Sequence, residues 1–476
     1  MQALKALSFR LALAAAWWSA AAAAADVRPN FVFINIDDLG YADIGPFGST
    51  LNRTPNLDRM AAEGRRLTSF YGAPVCSPSR AALMTGCYPK RALPIPHVLF
   101  PGNAVGLAPE EITIAELLRE AGYTTAIIGK WHLGDQLEFL PTRQGFDHYF
   151  GLPYSNDMGP ATDGVKSNWG DPLPAPRANE QPPLPWLRNE TVVKRVHGYD
   201  QTTLVRRYTE EAVAFIEDHR HDRFFLYLPH SAVHWPLYPG AGYQGRSANG
   251  LYGDWVEEVD WSVGRVLDTL RGLGLGNRTL VIFTSDNGGT PRGVNQPLRG
   301  HKGSTWEGGM REPTIAWWPG RIPAGTTSDA ISGMIDILPT FVRLAEGKLP
   351  TDRKLDGADL WPVLSGAPDA PPPHEVFHYF RGLKLEAVRR GPWKLRLDKG
   401  ELYNLETDIG ETTNLAEAHP GIVAEIETLA AAMDADLGRE GQGPGVRPLG
   451  RVADPRPIIA PDGTIREELR GEPEAL

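Results

Sequence analysis

Four runs of strand length, residues 31–37 (FVFINID), 124–130 (TTAIIGK), 224–230 (FFLYLPH) and 280–286 (LVIFTSD), stay apolar almost to their last residue. A strand with one face in water alternates apolar and polar side chains, so runs without alternation belong to a sheet buried on both faces. Amphipathic segments of helix length lie between them, at 54–66, 109–120, 203–218 and 254–271. This order predicts an α/β fold from residue 29 to about 340: a mostly parallel sheet flanked by helices, joined by right-handed crossovers.

The rest of the 476-residue chain divides by composition. Residues 1–25 carry Lys5 and Arg10, then an alanine-rich apolar run and small residues before Asp26, which predicts a secretory signal peptide and an exported protein, periplasmic or extracellular. The run falls short of the roughly 20 strongly apolar residues that span a bilayer, so no membrane association is expected. A main domain is expected over 26–345. Within it, 160–190 is rich in Pro, Gly and Asn and reads as a long excursion. Beyond it, strand-like runs around 386–397 and a helix from 420 to about 437 predict a smaller α+β domain over 346–440, followed by an extended tail, 441–476. The formal net charge of −10 argues against a general nucleic-acid binder. An acidic chain that holds an anion needs a local basic pocket.

Polar clusters close all four apolar runs: Asp37 and Asp38, then Lys130 and His132, then His230 and His234, then Asp286 and Asn287. In an open parallel sheet this edge is where ligands bind. Each acidic pair taken alone reads first as a turn. Two at one edge supply hard oxygen ligands, suited to calcium or magnesium rather than zinc. Lys130, His132, His234 and, further along, Lys302 form the basic pocket, and a metal facing such cations implies a bridging sulfate, phosphate or phosphonate.

Residues 74–86 read PVCSPSRAALMTG, placing Cys76, Pro78 and Arg80 in a Cys-x-Pro-x-Arg pattern. With only one other cysteine, Cys87, a local disulfide is one reading, and a thiolate nucleophile assisted by Arg80 is another. The segment resembles the signature of the sulfatases, in which this cysteine is oxidised to formylglycine. Similar to that family are also 33–45 (FINIDDLGYADIG), 122–134 (GYTTAIIGKWHLG), 284–289 (TSDNGG), 302–313 (KGSTWEGGMREP) and 402–416 (LYNLETDIGETTNLA). Segment 151–159 (GLPYSNDMG) looks most like the arylsulfatase A and N-acetylgalactosamine-6-sulfatase branch. Animal members of that branch carry several disulfides, which two cysteines cannot supply, and a bacterial periplasmic origin fits.

The resemblance implies an alkaline-phosphatase-like fold and a sulfuric ester hydrolase acting on aryl sulfate or sulfated carbohydrate. It implies that Asp37, Asp38, Asp286 and Asn287 hold one calcium ion together with the modified Cys76, magnesium being the weaker candidate. Arg80 and Lys130 would orient the formylglycine, and His132 would hydrogen-bond one of its hydroxyls and act as base. Lys302 and His234 would grip the sulfate, His234 also protonating the leaving oxygen, with Ser155 a further hydrogen bonder and His230 structural. A formylglycine-generating enzyme is the implied maturation partner. A phosphonate monoester or phosphodiester hydrolase using the same modified cysteine is a rival reading, and a non-catalytic sulfated-glycan binding protein a second. Loops at 88–108, 135–200 and 236–253 are expected to surround the leaving group.

Overall fold

A computed structural model describes residues 28–176 and 178–471, so the expected leader at 1–25 lies outside the described residues. The strand Asn30–Ile36, buried at every position, sits at the centre of an eleven-stranded sheet. Thr279–Ser285 and Phe224–Pro229 pair with it on either side, both parallel, and Thr124–Ile128 and then His148–Gly151 continue the parallel order beyond Phe224–Pro229. The mostly parallel α/β sheet expected from the apolar runs is therefore present. Alternate residues of the strands face two separate cores. Phe31, Phe33, Tyr227 and Ile282 pack on one side with Leu83, Leu118 and Phe341, and Val32, Ile34, Leu226 and Phe283 pack on the other with Leu57, Tyr208 and Trp255.

The parallel strands with polar ends stop one or two residues before the expected limits, leaving the polar residues on the turns that follow. Gly129 shows why the chain turns there: its φ is 136°, and a Cβ would lie 1.9 Å from the Pro229 carbonyl oxygen. No other residue fits that close approach. The chain then presents Lys130, whose backbone N–H donates to that same carbonyl.

Helix limits differ for local reasons. The helix expected at 109–120 starts at Ile114, because Thr113 and Glu116 form a reciprocal capping box. The helix expected at 54–66 is Pro55–Glu63, and Arg65–Tyr71 is a strand, antiparallel to Arg311–Trp317. Gly64 separates them, since a Cβ there would meet the Ala316 carbonyl oxygen at 2.3 Å. The end of the 160–190 excursion is also regular: Pro185–Arg188 and Thr191–Arg195 form a hairpin that extends the main sheet antiparallel to His148–Gly151.

A second, antiparallel sheet orders Val376–Arg381, Lys384–Arg390, Trp393–Arg396 and Glu401–Asn404, and the helix Pro420–Leu437 packs on it. A buried ionic knot joins this sheet to the main one. Lys394 Nζ lies 2.8 Å from both Glu307 Oε1 and Glu411 Oε1 and donates to the Thr305 carbonyl at 2.9 Å. Tyr71 and Tyr379 hydroxyls donate to the Glu307 carboxylate at 2.6 and 2.9 Å. Burial alone would raise the Glu307 pKa, but Lys394, Arg311 and Arg389 hold it below the carboxylate range. The tail runs back over the main domain, where Gly450–Arg451 pairs with Val105–Gly106 and the Gln136 side chain bonds both backbone polar groups of Arg456. Among the described residues, no helix is long and apolar enough to cross a membrane.

Removing the cation from the knot leaves two buried carboxylates facing each other. Lys394→Met is expected to lower stability by about 3–5 kcal/mol, read as a fall in urea midpoint; an unchanged midpoint would show that the knot contributes nothing net.

Candidate active site

Cys76 opens the helix Cys76–Thr85, all of whose residues are buried, with extended Val75 before it and Pro78 in the first turn, where a missing N–H costs nothing. The helix ends at Gly86 (φ 65°), and Cys87 follows. Both cysteines are free. The disulfide reading therefore fails, for a simple reason: a helix of this length separates the two Cα atoms by roughly 15 Å, beyond disulfide reach. The thiolate reading is disfavoured: burial, reinforced by the Asp37 carboxylate, pushes the Cys76 thiol above the ordinary thiol range.

Around Cys76 the strand ends deliver alternating charge. Asp37 Oδ1 lies 3.3 Å from Cys76 Sγ, and Lys302 Nζ approaches the same sulfur at 3.4 Å. Lys130 Nζ donates to Asp37 Oδ2 at 2.5 Å and to Ser155 Oγ at 2.7 Å. Arg80, one helical turn after Cys76, donates through Nε and Nη2 to Asp286 Oδ2 and through Nη1 to the Lys130 carbonyl. Lys302 also pairs with Asp38 Oδ1 at 2.6 Å, and Asn287 Nδ2 donates to that same oxygen at 2.8 Å. Burial alone would raise the Asp37 carboxyl, but Lys130, His234, Arg80 and Lys302 hold it well below the usual range. Lys302 stays charged despite burial because Asp38 faces it.

The three histidines separate clearly. His132, buried and in the left-handed region (φ 66°), places Nε2 2.9 Å from the Leu99 carbonyl oxygen, so Nε2 carries the proton and Nδ1 is an acceptor. Burial and the charges of Lys130 and Arg80 keep it neutral. His230 packs against Ser262, 3.0 Å from its hydroxyl, and burial lowers its pKa to about 3. His234 stands at the rim, with Nε2 3.8 Å from Asp38 Oδ2 and Nδ1 3.1 Å from Asn156 Oδ1.

The structure thus brings Asp37, Asp38, Cys76, Arg80, Lys130, His132, Ser155, His234, Asp286, Asn287 and Lys302 to one sheet edge. Ligand atoms of Asp37, Asp38, Cys76 and His234 lie within 4.8 Å of one another, and Asp286 and Asn287 border that group through Asp38. A hard cation fits this set: the carboxylates are ionisable oxygen donors, and Asn287 Oδ1 is buried with no hydrogen-bond partner. Sequence reading missed Asn156, which contacts His234, and Gln201, which bonds Asn156. Asn156 lies next to Ser155 within the 151–159 segment, where its neighbour signals it; Gln201 lies in no motif.

The family model described as Sulfatase matches residues 29–348. N-acetylgalactosamine-6-sulfatase of Mus musculus is 40% identical over 430 residues, covering 84% of this chain and 79% of that protein. Arylsulfatase A of Bos taurus is 41% identical over 467 residues, covering 88% and 90%. The crystal structure of the PsFucS1 sulfatase from Pseudoalteromonas sp. superposes with a TM-score of 0.75 at 28% identity, covering 89% of this chain and 92% of that one.

Two buried thiols make a direct prediction for the chain with unmodified Cys76. The folded protein is expected to give no reaction with Ellman's reagent at pH 8 and two thiols in guanidinium; a rapidly reacting thiol in the native state would contradict the burial.

Proposed function

The chain belongs to the sulfatase family and is a sulfuric ester hydrolase, and from that we propose that it works through a formylglycine made from Cys76, with one calcium ion, on sulfate esters of sugars or aryl alcohols. The observation that carries this reading is the position of Cys76: a buried side chain at the centre of the charge cluster, with Asp37 and Lys302 against its sulfur. Oxidation to an aldehyde, followed by addition of water across its carbonyl, would supply a geminal diol there, with one oxygen to take the sulfuryl group and a second whose deprotonation releases sulfate. Calcium, held by Asp37, Asp38, Asp286 and Asn287, would supply Lewis-acid stabilisation of the sulfate oxygens.

The chain's own residues do the rest. Lys130 fixes Asp37 and Ser155, and Arg80 fixes Asp286, so the carboxylates are held before substrate arrives. Lys302, against both Cys76 and Asp38, is placed to grip the sulfate. His234 protonates the leaving oxygen through Nε2, the nitrogen turned toward the cluster. His132 accepts the second proton at Nδ1, which is buried and has no hydrogen-bond partner. Export with removal of residues 1–25, and maturation by a formylglycine-generating enzyme, belong to the same proposal. The sugar assignment leans on the similarity to N-acetylgalactosamine-6-sulfatase.

Intact mass tests the modification: the active protein is expected to be lighter by the difference between a thiol-bearing and an aldehyde side chain, and unmodified Cys76 in active protein would end the proposal. Cys76→Ala is expected to abolish turnover, and Lys302→Ala to lower kcat/KM on 4-nitrophenyl sulfate by about 10²–10³-fold. Chelation should remove activity and calcium restore it. A preference for phenylphosphonate esters over phenyl sulfate would favour the phosphonate hydrolase, and binding of sulfated glycans without turnover would favour the binding protein.

A further inference from the structure

Asn156 and Gln201 are both completely buried and bond each other twice: Asn156 Nδ2 donates to Gln201 Oε1 at 2.8 Å, and Gln201 Nε2 donates to the Asn156 carbonyl at 2.9 Å. Asn156 Nδ2 also donates to the carbonyl oxygens of Pro236 at 3.2 Å and His234 at 3.4 Å. Every neighbour of that end of the amide is an acceptor, so the nitrogen is fixed there and Oδ1 is the atom turned toward His234. His234 Nδ1 then faces two acceptors, Asn156 Oδ1 at 3.1 Å and the Trp235 carbonyl oxygen at 2.6 Å. Nδ1 must carry a hydrogen, whatever the charge of the ring.

We propose that the Asn156–Gln201 pair is a positioning device for leaving-group protonation: it locks the His234 ring with Nδ1–H turned inward and makes Nε2 the only nitrogen that exchanges a proton with substrate. This inference rests on the acid role given to His234 above and adds the residues that enforce it. As the bond from sulfur to the leaving oxygen breaks, its electron pair stays on that oxygen, which takes the Nε2 proton; sulfur bonds the nucleophilic oxygen supplied at position 76. With Nδ1–H held by these two acceptors, the doubly protonated ring presents its second hydrogen on Nε2 and returns to the Nδ1–H form after giving it up, whereas a ring free to rotate would turn Nε2 away from the leaving oxygen. Asp157 adds to the arrangement, its Oδ1 being buried, without a hydrogen-bond partner, and 4.0 Å from Nδ1. The segment that carries Asn156 also carries Ser155, so one turn serves both the Lys130 side and the His234 side of the site.

Leaving-group dependence is the readout, because a residue that only supports the fold slows all esters alike. 4-Nitrophenolate leaves without help, whereas phenolate needs a proton. Asn156→Ala is expected to lose about 10²-fold in kcat on phenyl sulfate, the lower end of what general acid catalysis supplies, and less than about threefold on 4-nitrophenyl sulfate. His234→Ala, run alongside, is expected to show the same split or a larger one. Equal losses of Asn156→Ala on both esters, with a split in His234→Ala, would overturn the positioning role alone. No split in His234→Ala would overturn the acid assignment, and this inference with it. If Asn156→Ala does not fold, Gln201→Ala takes its place: a smaller split of the same sign supports the device, and uniform loss overturns it.

Discussion

A carboxylate with no solvent exposure stays ionised only when cations are placed on it, and Asp37 is the carboxylate on which this architecture turns. It follows directly on the central strand, touches the Cys76 sulfur, and owes its charge to Lys130, His234, Arg80 and Lys302, which arrive on four different segments. Three of these four are in turn tied down: Arg80 by Asp286, Lys302 by Asp38, Lys130 by Ser155. Neutralising one member leaves the others as uncompensated buried charge, so the cluster is one unit and not a sum of pairs. The parallel sheet makes this possible by bringing the C-terminal ends of strands distant in sequence to one edge.

The same logic continues into the small sheet. Lys302 belongs to a segment whose next few residues, Thr305 and Glu307, are gripped by Lys394, and Glu411 completes that grip. The small sheet therefore acts as the outer support of the lysine that faces Cys76. The site carries backbone strain of its own: Asp38 and His132 both sit at φ 66°, a region that costs a non-glycine residue of order 1–3 kcal/mol, and surrounding hydrogen bonds hold them there.

Much of this was legible in the sequence. The parallel core could be read from Phe31, Ile127, Phe225 and Ile282, because a strand buried on both faces loses its polar alternation. The site could be read from the polar residues closing those strands, since charge is costly to bury and is kept at a sheet edge where it meets a ligand or an opposite charge. Arg65–Tyr71 was missed because Pro55–Glu63 precedes it without a turn signature, and only contact with Ala316 shows why Gly64 divides the two. The hairpin at 185–195 was hidden in a Pro-rich stretch whose pairing depends on His148–Gly151. Gln201 could not be found from sequence at all, because its partner Asn156 is 45 positions away and the link is a buried amide pair with no periodicity.

Cys76 is 1% exposed, walled in by its own helix, by Asp37 and by Lys302. A protein the size of an enzyme cannot reach it in the finished fold. Any enzyme that alters this side chain must act while the chain is still open, and the window closes when the sheet edge assembles. The modification proposed for Cys76 would therefore have to precede the closing of that edge, which Lys394 and Glu411, in the small sheet and the loop beyond it, brace through the Lys302 segment.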